Sequence, residues 1–412
     1  MTHRRPLTLL EDGARVGAQA LALVVASALA YLSVTSDLEA VEWAPPRPLP
    51  DLAPNSALVG AQRLFADDML GPESLALGPD QCVYTGTMDG RILKFSVDPG
   101  SPEYLLPREF ARFNASCGPF AGSYDEYPPA REPLCGRPLG MRFDASGRLL
   151  VAEAYSGLHR FSSDGAAREL LLDNVRGKPI RFANDLDVAG DGTVYLSVSS
   201  DRWGRDRVAG ELLSARRCGV VVALDPDAPA AAARTLVVWD DLPFTNGVTL
   251  SHDRASYVYF VAGPAIHRID RESGASAVAL DNLPCVADNI RRRAAADARF
   301  LVACASRRSA PFALLDALAP YPSVRNLLHA LLPARLLLKF VPRMGLVLDV
   351  DLSPGRERVV RLFQDRSAGG VAFISEAEEL PDGYTYMGTW HERGLARVKT
   401  DVLQACGRAC WA

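Results

Sequence analysis

Six segments of the chain share one pattern, and this repetition constrains the fold more than any other feature. Each segment reads as a short alternating strand, a polar turn, a more hydrophobic strand and usually a third strand. Antiparallel units repeated in this way are typical of a radial array. The sequence therefore predicts an all-β, six-bladed β-propeller over residues 58–400. The six segments are "GPESLALGPDQCVYTGTMDGRILKF" (71–95), "GRPLGMRFDASGRLLVAEAYSGLHRF" (136–161), "FANDLDVAGDGTVYLSVSS" (182–200), "FTNGVTLSHDRASYVYFVAGPAIHRI" (244–269), "VADNIRRRAAADARFLVACA" (286–305) and "VAFISEAEELPDGYTYMGTWHERGLARV" (371–398).

The repeats align on the turn that ends their first strand. The pair Asn246-Gly247 would by itself signal a hairpin turn, but the turn of that repeat lies seven residues later, at Asp253. Gly247 is expected to let the strand backbone pass close to the axis. When the repeats are aligned by this seven-residue interval, four of them carry an oxygen-bearing side chain at one equivalent position. These residues are Glu73, Asn184, Asn246 and Asp288. Because the innermost strands of a propeller surround its axis, equivalent positions converge there.

The residue types at this position indicate a cation site. Carboxylate and amide oxygens without His or Cys suit a hard cation, and Ca²⁺ accepts more ligands and less regular geometry than Mg²⁺. Asn and Asp at strand starts also serve as turn residues, which explains any one of them better than four in register. The sequence predicts an axial Ca²⁺ held by Glu73, Asn184, Asn246, Asp288 and the adjacent Asn289.

Short motifs spread over about 70–400 resemble the strictosidine synthase-like family, including a type with an N-terminal membrane anchor. They are "GPES", "TGTMDGRILKF", "CGRPLGMRFD", "VAEAYSGL", "NDLDV", "NGVTLS", "DNIR" and "LLLKFVPRMGLVLDVD". The wider superfamily contains paraoxonases, gluconolactonases and diisopropyl fluorophosphatase, which are calcium-dependent hydrolases. Their axial calcium ligands match the same five positions: Glu73, Asn184, Asn246, Asp288 and Asn289.

This resemblance implies hydrolysis of esters or lactones, with a small apolar substrate and Ca²⁺ polarising a carbonyl or phosphoryl oxygen. The attacking group would be water activated by a carboxylate, or Asp288 itself, as proposed for the fluorophosphatases. Glu153 in "VAEAY" is a candidate catalytic base, although it could equally cap a strand or pair with an arginine. The alternative function is a receptor or scaffold in which calcium only stabilises the fold.

The sequence also departs from its relatives. The histidine pair used by paraoxonases is absent, and Leu139 and Glu153 or Ala154 stand at those positions. The second, structural calcium of paraoxonases would involve Asp185. Strictosidine synthase lacks the calcium cage and depends on a late glutamate, which the carboxylates here do not match, so condensation of an amine with an aldehyde is not expected. Those carboxylates are Glu376, Glu378 and Glu379.

The N-terminal region contains eighteen uncharged residues at 17–34, preceded by basic and followed by acidic residues. This pattern predicts a transmembrane signal-anchor helix with a cytoplasmic N-terminus at 1–16, a Pro-rich linker at 35–57 and a lumenal or extracellular propeller. The protein would then be a single-pass type II membrane protein. The alternatives are a signal peptide cleaved near "ASALA", which would give a secreted protein, and a soluble helix.

The eight cysteines include no zinc-type spacing. Cys117 and Cys135 flank a Pro-rich loop and are predicted to form a disulfide, and the sequon at Asn114 predicts a glycan in the same loop. Cys82 and Cys304 lie in strand-like runs and are expected to be buried thiols. A looser expectation is a second disulfide between Cys406 and Cys410.

A helix-like insertion is predicted at 309–342, before the last blade, and a C-terminal tail at 401–412. The insertion is expected to be a packed lid, or else to lie on a membrane, because it has an apolar stripe. The stripe consists of Leu327, Leu328, Leu331 and Leu332. The net charge of −4 and the absence of a basic patch exclude a nucleic-acid partner. Serine-hydrolase and zinc-protease motifs are absent as well.

Overall fold

A computed structural model describes residues 7–44, 47, 54–229, 234–294, 297–308, 314–367 and 369–405. Six four-stranded antiparallel sheets surround one axis, which confirms the predicted all-β, six-bladed propeller. The strands are β1 (Gln62–Leu64), β2 (Ala76–Leu77), β3 (Cys82–Gly86), β4 (Arg91–Ser96), β5 (Arg108–Arg112), β6 (Pro138–Phe143), β7 (Leu149–Glu153), β8 (Gly157–Phe161), β9 (Arg168–Leu172), β10 (Asn174–Val175), β11 (Lys178–Pro179), β12 (Ala183–Val188), β13 (Val194–Val198), β14 (Gly219–Leu224), β15 (Thr235–Leu242), β16 (Thr245–Leu250), β17 (Tyr257–Ala262), β18 (Ala265–Asp270), β19 (Ser276–Leu280), β20 (Cys285–Arg292), β21 (Arg299–Arg307), β22 (Gly345–Asp351), β23 (Arg358–Asp365), β24 (Ile374–Glu379), β25 (Tyr384–Thr389) and β26 (Leu395–Lys399).

Each blade runs outward from an inner strand. The inner strands are β2, β6, β12, β16, β20 and β24, and β10 with β11 forms a separate two-stranded ribbon. The sixth blade takes its outer strand from the other end of the chain, since β1 pairs antiparallel with β26. This pairing closes the ring of blades and leaves β26 without a free edge.

The hydrophobic core is divided among the contacts between neighbouring blades. Cys82, Tyr84 and Ile92 of the first blade pack with Met141 and Leu149 of the second. Similar clusters fill the other five contacts between consecutive blades, including that between the sixth and the first. The alternating pattern of each strand therefore buries both faces of a blade against its neighbours.

The helices lie mainly on one side of the propeller. They are α1 (Leu7–Thr35), α2 (Arg131–Cys135), a 3₁₀ turn (Arg205–Arg207), α3 (Val208–Ser214), α4 (Leu314–Ala317), α5 (Pro322–Leu331), α6 (Ala334–Leu338) and α7 (Thr400–Ala405). We call the face on which the inner strands begin the upper face. The connections β5–β6, β13–β14 and β21–β22 all cross this face because strand direction alternates within each blade, so α2 to α6 cover it.

The predicted insertion does precede the last blade, but it lies inside the fifth blade, between β21 and β22. Its first residues, 309–313, are outside the described part of the chain. Helix α5 packs against α1 and α3, and Arg325 donates hydrogen bonds to the carbonyls of Leu213 and Ala319. Leu327 and Leu328 are half-buried by this packing, whereas Leu331 is 51% exposed.

Helix α1 contains the predicted anchor segment 17–34 and extends beyond it at both ends. Among the described residues, no helix combines the length and apolar character needed to cross a bilayer. The transmembrane anchor therefore stays a prediction.

Two disulfides are present among the described residues. Cys117 and Cys135 are joined as predicted. The expectation for Cys304 is wrong, because it is joined to Cys285. Strands β20 and β21 are antiparallel neighbours, which brings these two Cα atoms to 5.7 Å, within disulfide range. Cys82 is a buried free thiol, as predicted, and Cys406 and Cys410 lie outside the described residues.

Candidate metal centre

An irregularity near the start of the inner strands positions the site. In β6, β12, β16, β20 and β24 the pairing register shifts within the first residues of the strand. A bulge of this kind releases a residue from the ladder and redirects its side chain. Together with Glu73, which precedes β2, the redirected residues form what we call the axial ring: Glu73, Leu139, Asn184, Asn246, Asp288 and Ser375.

The residues that follow each ring member form a second layer, the lower ring: Ser74, Gly140, Asp185, Gly247, Asn289 and Glu376. A Cβ atom on Gly247 would lie 2.5 Å from the Cα of Asn289, and one on Gly140 would lie 2.4 Å from Oδ1 of Asp185. Glycine is therefore required where one inner strand passes the next. The expectation that Gly247 permits close approach near the axis is confirmed.

The five predicted calcium ligands all lie at these two levels, and each is at most 7% exposed. Each also has one buried side-chain oxygen without a hydrogen-bond partner among the described residues. These atoms are Oε2 of Glu73 and Oδ1 of Asn184, Asn246, Asp288 and Asn289. Buried oxygens normally find a partner, so these five oxygens are candidate ligands for a cation.

Protein contacts fix the orientation of the amides. Nδ2 of Asn184 donates to Oγ of Ser199 at 2.8 Å, and Nδ2 of Asn289 donates to Oε2 of Glu376 at 3.2 Å. Each amide oxygen is consequently left without a donor. The side chain of Asn246 lowers the pKa of Asp288, which partly opposes the effect of burial.

The two ring carboxylates repel one another. Burial raises the pKa of Glu73 to about 7, opposed by the charges of Arg137 and Arg205. Burial also raises the pKa of Asp288 well above its usual range, and the charge of Glu73 adds to this effect. A divalent cation would neutralise both groups. The donor set therefore fits Ca²⁺, which prefers carboxylate and amide oxygens.

The ring has no third titratable ligand. No group of three or more His, Cys, Asp or Glu side chains suited to a metal lies within the described residues. The candidate site instead combines two carboxylates with three amides, and its occupation by calcium stays a prediction.

Below the ring, an arginine lies against Asp185. Arg291 binds both oxygens of Asp185 at 2.7 and 2.9 Å and also contacts Oε2 of Glu376. The backbone N–H of Val248 donates to Asp185 at 2.8 Å. The expectation of a second calcium at Asp185 is therefore replaced by a guanidinium that supplies the positive charge. Sequence reasoning noted "DNIR" but gave its arginine no role.

Two further arginines lie above the ring, and sequence reasoning missed both. Arg205 pairs with Glu132 at 2.6 Å, and the hydroxyl of Tyr155 donates to the same carboxylate oxygen at 2.8 Å. Arg137 immediately precedes β6 and is fully buried. Arg137 and Arg205 are the two cations that lower the pKa of Glu73.

The carboxylate of Glu153 is hydrogen-bonded mainly to residues of its own turn. Its carboxylate accepts hydrogen bonds from the backbone N–H groups of Arg137, Tyr155 and Ser156 and from Oγ of Ser156. This is the capping role that the sequence left open. Its role as a catalytic base stays a prediction.

The predicted glycosylation site is in the loop closed by the first disulfide. Asn114 is half-buried, and its Nδ2 donates to the carbonyl of Leu134 at 2.8 Å. Glycosylation at this position stays a prediction. A separate surface depression of about 480 Å³ lies beside Arg176 and Leu236 at the outer edge of the third blade, away from the axis.

Comparisons with known proteins agree with this architecture. Residues 50–95 match the family model "Strictosidine synthase-like, N-terminal", and residues 184–272 match "Strictosidine synthase". Two solved propellers have TM-scores of 0.51: a gluconolactonase from Xanthomonas campestris (16% identity; 87% of this chain, 98% of that chain) and the calcium-binding protein regucalcin from Agrobacterium tumefaciens (12%; 82% and 92%).

Curated relatives cover most of the chain. Adipocyte plasma membrane-associated protein from Salmo salar is 35% identical (84% of this chain, 79% of the relative), and the Homo sapiens protein is 33% identical (87% and 82%). Protein STRICTOSIDINE SYNTHASE-LIKE 10 from Arabidopsis thaliana is 31% identical (89% and 94%). With relatives above 30% identity over most of its length, the chain belongs to the strictosidine synthase-like family.

Proposed function

We propose that this protein is a calcium-dependent hydrolase of esters or lactones. The observation that carries the proposal is the set of five buried, unpartnered oxygens on Glu73, Asn184, Asn246, Asp288 and Asn289. The shared fold with a gluconolactonase and a calcium-binding regucalcin motivates lactones and calcium as the first choices for testing.

Calcium bound at these oxygens would supply a Lewis acid for the carbonyl or phosphoryl oxygen of the substrate. Asp288 would deliver the nucleophile, either by attacking directly or by deprotonating water. Its Oδ1 accepts no hydrogen bond from the described residues. Leu139, Ala154 and Phe182 form an apolar cluster on the upper side, which would limit access of bulk water.

Hydrolysis of phenyl acetate, a γ-lactone and a phosphotriester with and without chelator tests the proposal. Glu73→Ala and Asn246→Ala should each lower calcium affinity and kcat/KM at least tenfold, because each removes one ligand oxygen. Arg176→Ala, an exposed residue paired with Asp240, is the control. Activity that survives both ring substitutions and the chelator would refute the proposal.

The alternative is a non-catalytic receptor or scaffold stabilised by calcium. It is favoured by the environment of Glu153, the candidate base, whose carboxylate already accepts four hydrogen bonds. Calcium that raises the melting temperature without turnover of any of the three substrates would support this alternative.

We also propose that the propeller faces the secretory lumen or the cell exterior and that segment 17–34 anchors it. The disulfides Cys117–Cys135 and Cys285–Cys304 support an oxidising compartment. The name of the relatives, plasma membrane-associated protein, supports membrane attachment. Resistance of the propeller to protease in sealed microsomes, and retention in the membrane after carbonate extraction, would be the expected results. Release by carbonate would contradict the anchor.

A further inference from the structure

Arg137 is a buried guanidinium that uses only part of its donor capacity. Its side chain is 0% exposed, and Nη1 donates to the carbonyl of Gly71 at 2.6 Å. Nε and Nη2 are also buried, and they have no hydrogen-bond partner in the described part of the chain. These two nitrogens lie on one edge of the planar group, where their N–H bonds point in the same direction. Such an edge matches two oxygens of a carboxylate or phosphate.

Within the described part of the chain, no carboxylate pairs with this edge. Glu132 is engaged by Arg205 and by the hydroxyl of Tyr155. Glu73, the other carboxylate whose charge acts on Arg137, is a proposed calcium ligand. Burial and the nearby charge of Arg205 lower the pKa of Arg137, which is typical of a cation that its surroundings compensate poorly. A buried charge without a partner is costly, so a guanidinium of this kind is a candidate ligand-binding group.

We propose that the Nε–Nη2 edge of Arg137, assisted by the charge of Arg205, binds an anionic oxygen group of the substrate, a carboxylate or a phosphate. This inference rests on the proposed hydrolase and specifies its substrate as an acidic ester or lactone. It replaces the expectation of a small apolar ester. Tyr124, stacked on His391 with ring centroids 4.4 Å apart, lies within electrostatic reach of both arginines and would flank the bound group.

Binding of two inert probes, succinate and inorganic phosphate, tests the site without requiring turnover. The 412-residue chain loaded with calcium would be titrated calorimetrically with each probe. We expect one saturable site, and the tighter probe identifies carboxylate or phosphate as the natural group. Arg137→Lys keeps the charge but loses the paired donors, so both affinities should fall at least tenfold. Arg176→Gln, on the exposed surface, should leave them unchanged.

A second variant keeps the test decisive if Arg137→Lys fails to fold. Glu132→Gln removes the carboxylate that compensates Arg205, so the upper face becomes more positive and both probes should bind more tightly. Misfolding cannot produce this gain. The proposal is overturned if the wild-type chain shows no saturable binding, or if wild type and Arg137→Lys bind both probes equally.

A matched pair of esters separates this inference from the hydrolase itself. Phenyl hydrogen succinate carries a free carboxylate, and methyl phenyl succinate is its neutral counterpart. We expect kcat/KM to favour the acidic ester at least tenfold, and Arg137→Lys to abolish that preference. Binding of the probes without turnover of either ester would refute the hydrolase but retain the anion site. Equal turnover of both esters without probe binding would refute the anion site alone.

Discussion

Arg291 contributes to this fold by satisfying two buried carboxylates from other blades. It lies in β20 of the fifth blade, whereas Asp185 belongs to the third and Glu376 to the sixth. All three side chains are fully or almost fully buried. A buried ion pair contributes little net stability compared with apolar residues, but removal of one partner leaves the other charge uncompensated.

Arg291→Met should therefore lower the free energy of unfolding by about 3–5 kcal/mol, because Asp185 and Glu376 lose their cation. Urea denaturation followed by tryptophan fluorescence measures the change. Arg176→Met, at an exposed pair with Asp240, should change stability by less than about 0.5 kcal/mol. Equal stability of the two variants would show that the buried triad is not needed.

His159 gives the fold a defined acid sensitivity. Burial, with a smaller contribution from Arg168, lowers the pKa of His159 from 6.5 to about 4. Its Nε2 contacts Oγ of Ser156 at 2.7 Å, and its ring packs on Phe113. The folded state therefore binds the proton less well than the unfolded state, so stability falls as pH falls.

His159→Gln should remove this dependence. In the wild-type chain the contribution is fully present above about pH 6.5 and is lost as the pH falls towards about 4, a total of about 3 kcal/mol. Urea midpoints measured from pH 7.5 to 4.5 should converge between variant and wild type as the pH decreases. Parallel curves over this range would contradict the assignment, since changes in other groups are common to both proteins.

At the scale of the element, the bulged start of five of the six inner strands connects sequence to site. The bulge redirects one residue into the axial ring, and the next residue meets the neighbouring strand. Gly247 faces the backbone of Asn289 and Ile290, with a hypothetical Cβ at 2.5 and 2.6 Å from their atoms. Side-chain volume is not tolerated here because the opposing atoms belong to the backbone of β20, which is held in place by its pairing with β21.

Gly247→Ala should destabilise the protein by about 1–3 kcal/mol through overpacking and should also weaken calcium binding, because Asn246 and Asp288 shift with their strands. Thermal unfolding and calcium titration provide the two readouts. Gly190→Ala, where the added Cβ meets no atom within 4 Å, is the matched control. A variant with wild-type melting temperature and calcium affinity would show that the strands adjust freely.

At the scale of the whole molecule, stability depends on closure of the ring. The strand β1 supplies the outer edge of the sixth blade through the pairs Gln62–Arg397, Arg63–Ala396 and Leu64–Leu395. Leu58, just before it, is fully buried between the fifth and sixth blades. The first and last strands of the propeller therefore meet in one sheet.

A chain that begins at residue 66 should be less stable than one that begins at residue 54, because it exposes the edge of β26 and the cluster around Leu58. Exposed edges promote association, so the shorter chain should aggregate at lower temperature. Melting followed by light scattering compares the two. Identical melting and scattering curves would show that β1 is dispensable for closure.

Local sequence information was sufficient for the fold class and for the residues of the axial ring that carry oxygen atoms. Each strand repeat is a continuous segment of the sequence. The common register of the repeats identifies Glu73, Asn184, Asn246 and Asp288 without knowledge of any long-range contact. Local sequence could not identify the remaining site residues. Arg137 and Arg205 precede or interrupt the repeats, and nothing near them in sequence shows that one lacks a carboxylate while the other has Glu132.

The sequence by itself thus determined the six blades and the identity of the ring, because both follow from a pattern that repeats along the chain. Only the tertiary structure decided the pairing of Cys304 with Cys285, the position of the helical insertion inside the fifth blade, and the placement of Arg291 against Asp185. These features depend on which residues meet when the blades close around the axis. Circular closure joins residues that are a hundred positions apart, such as Asp185 and Arg291, and no local spacing specifies that contact.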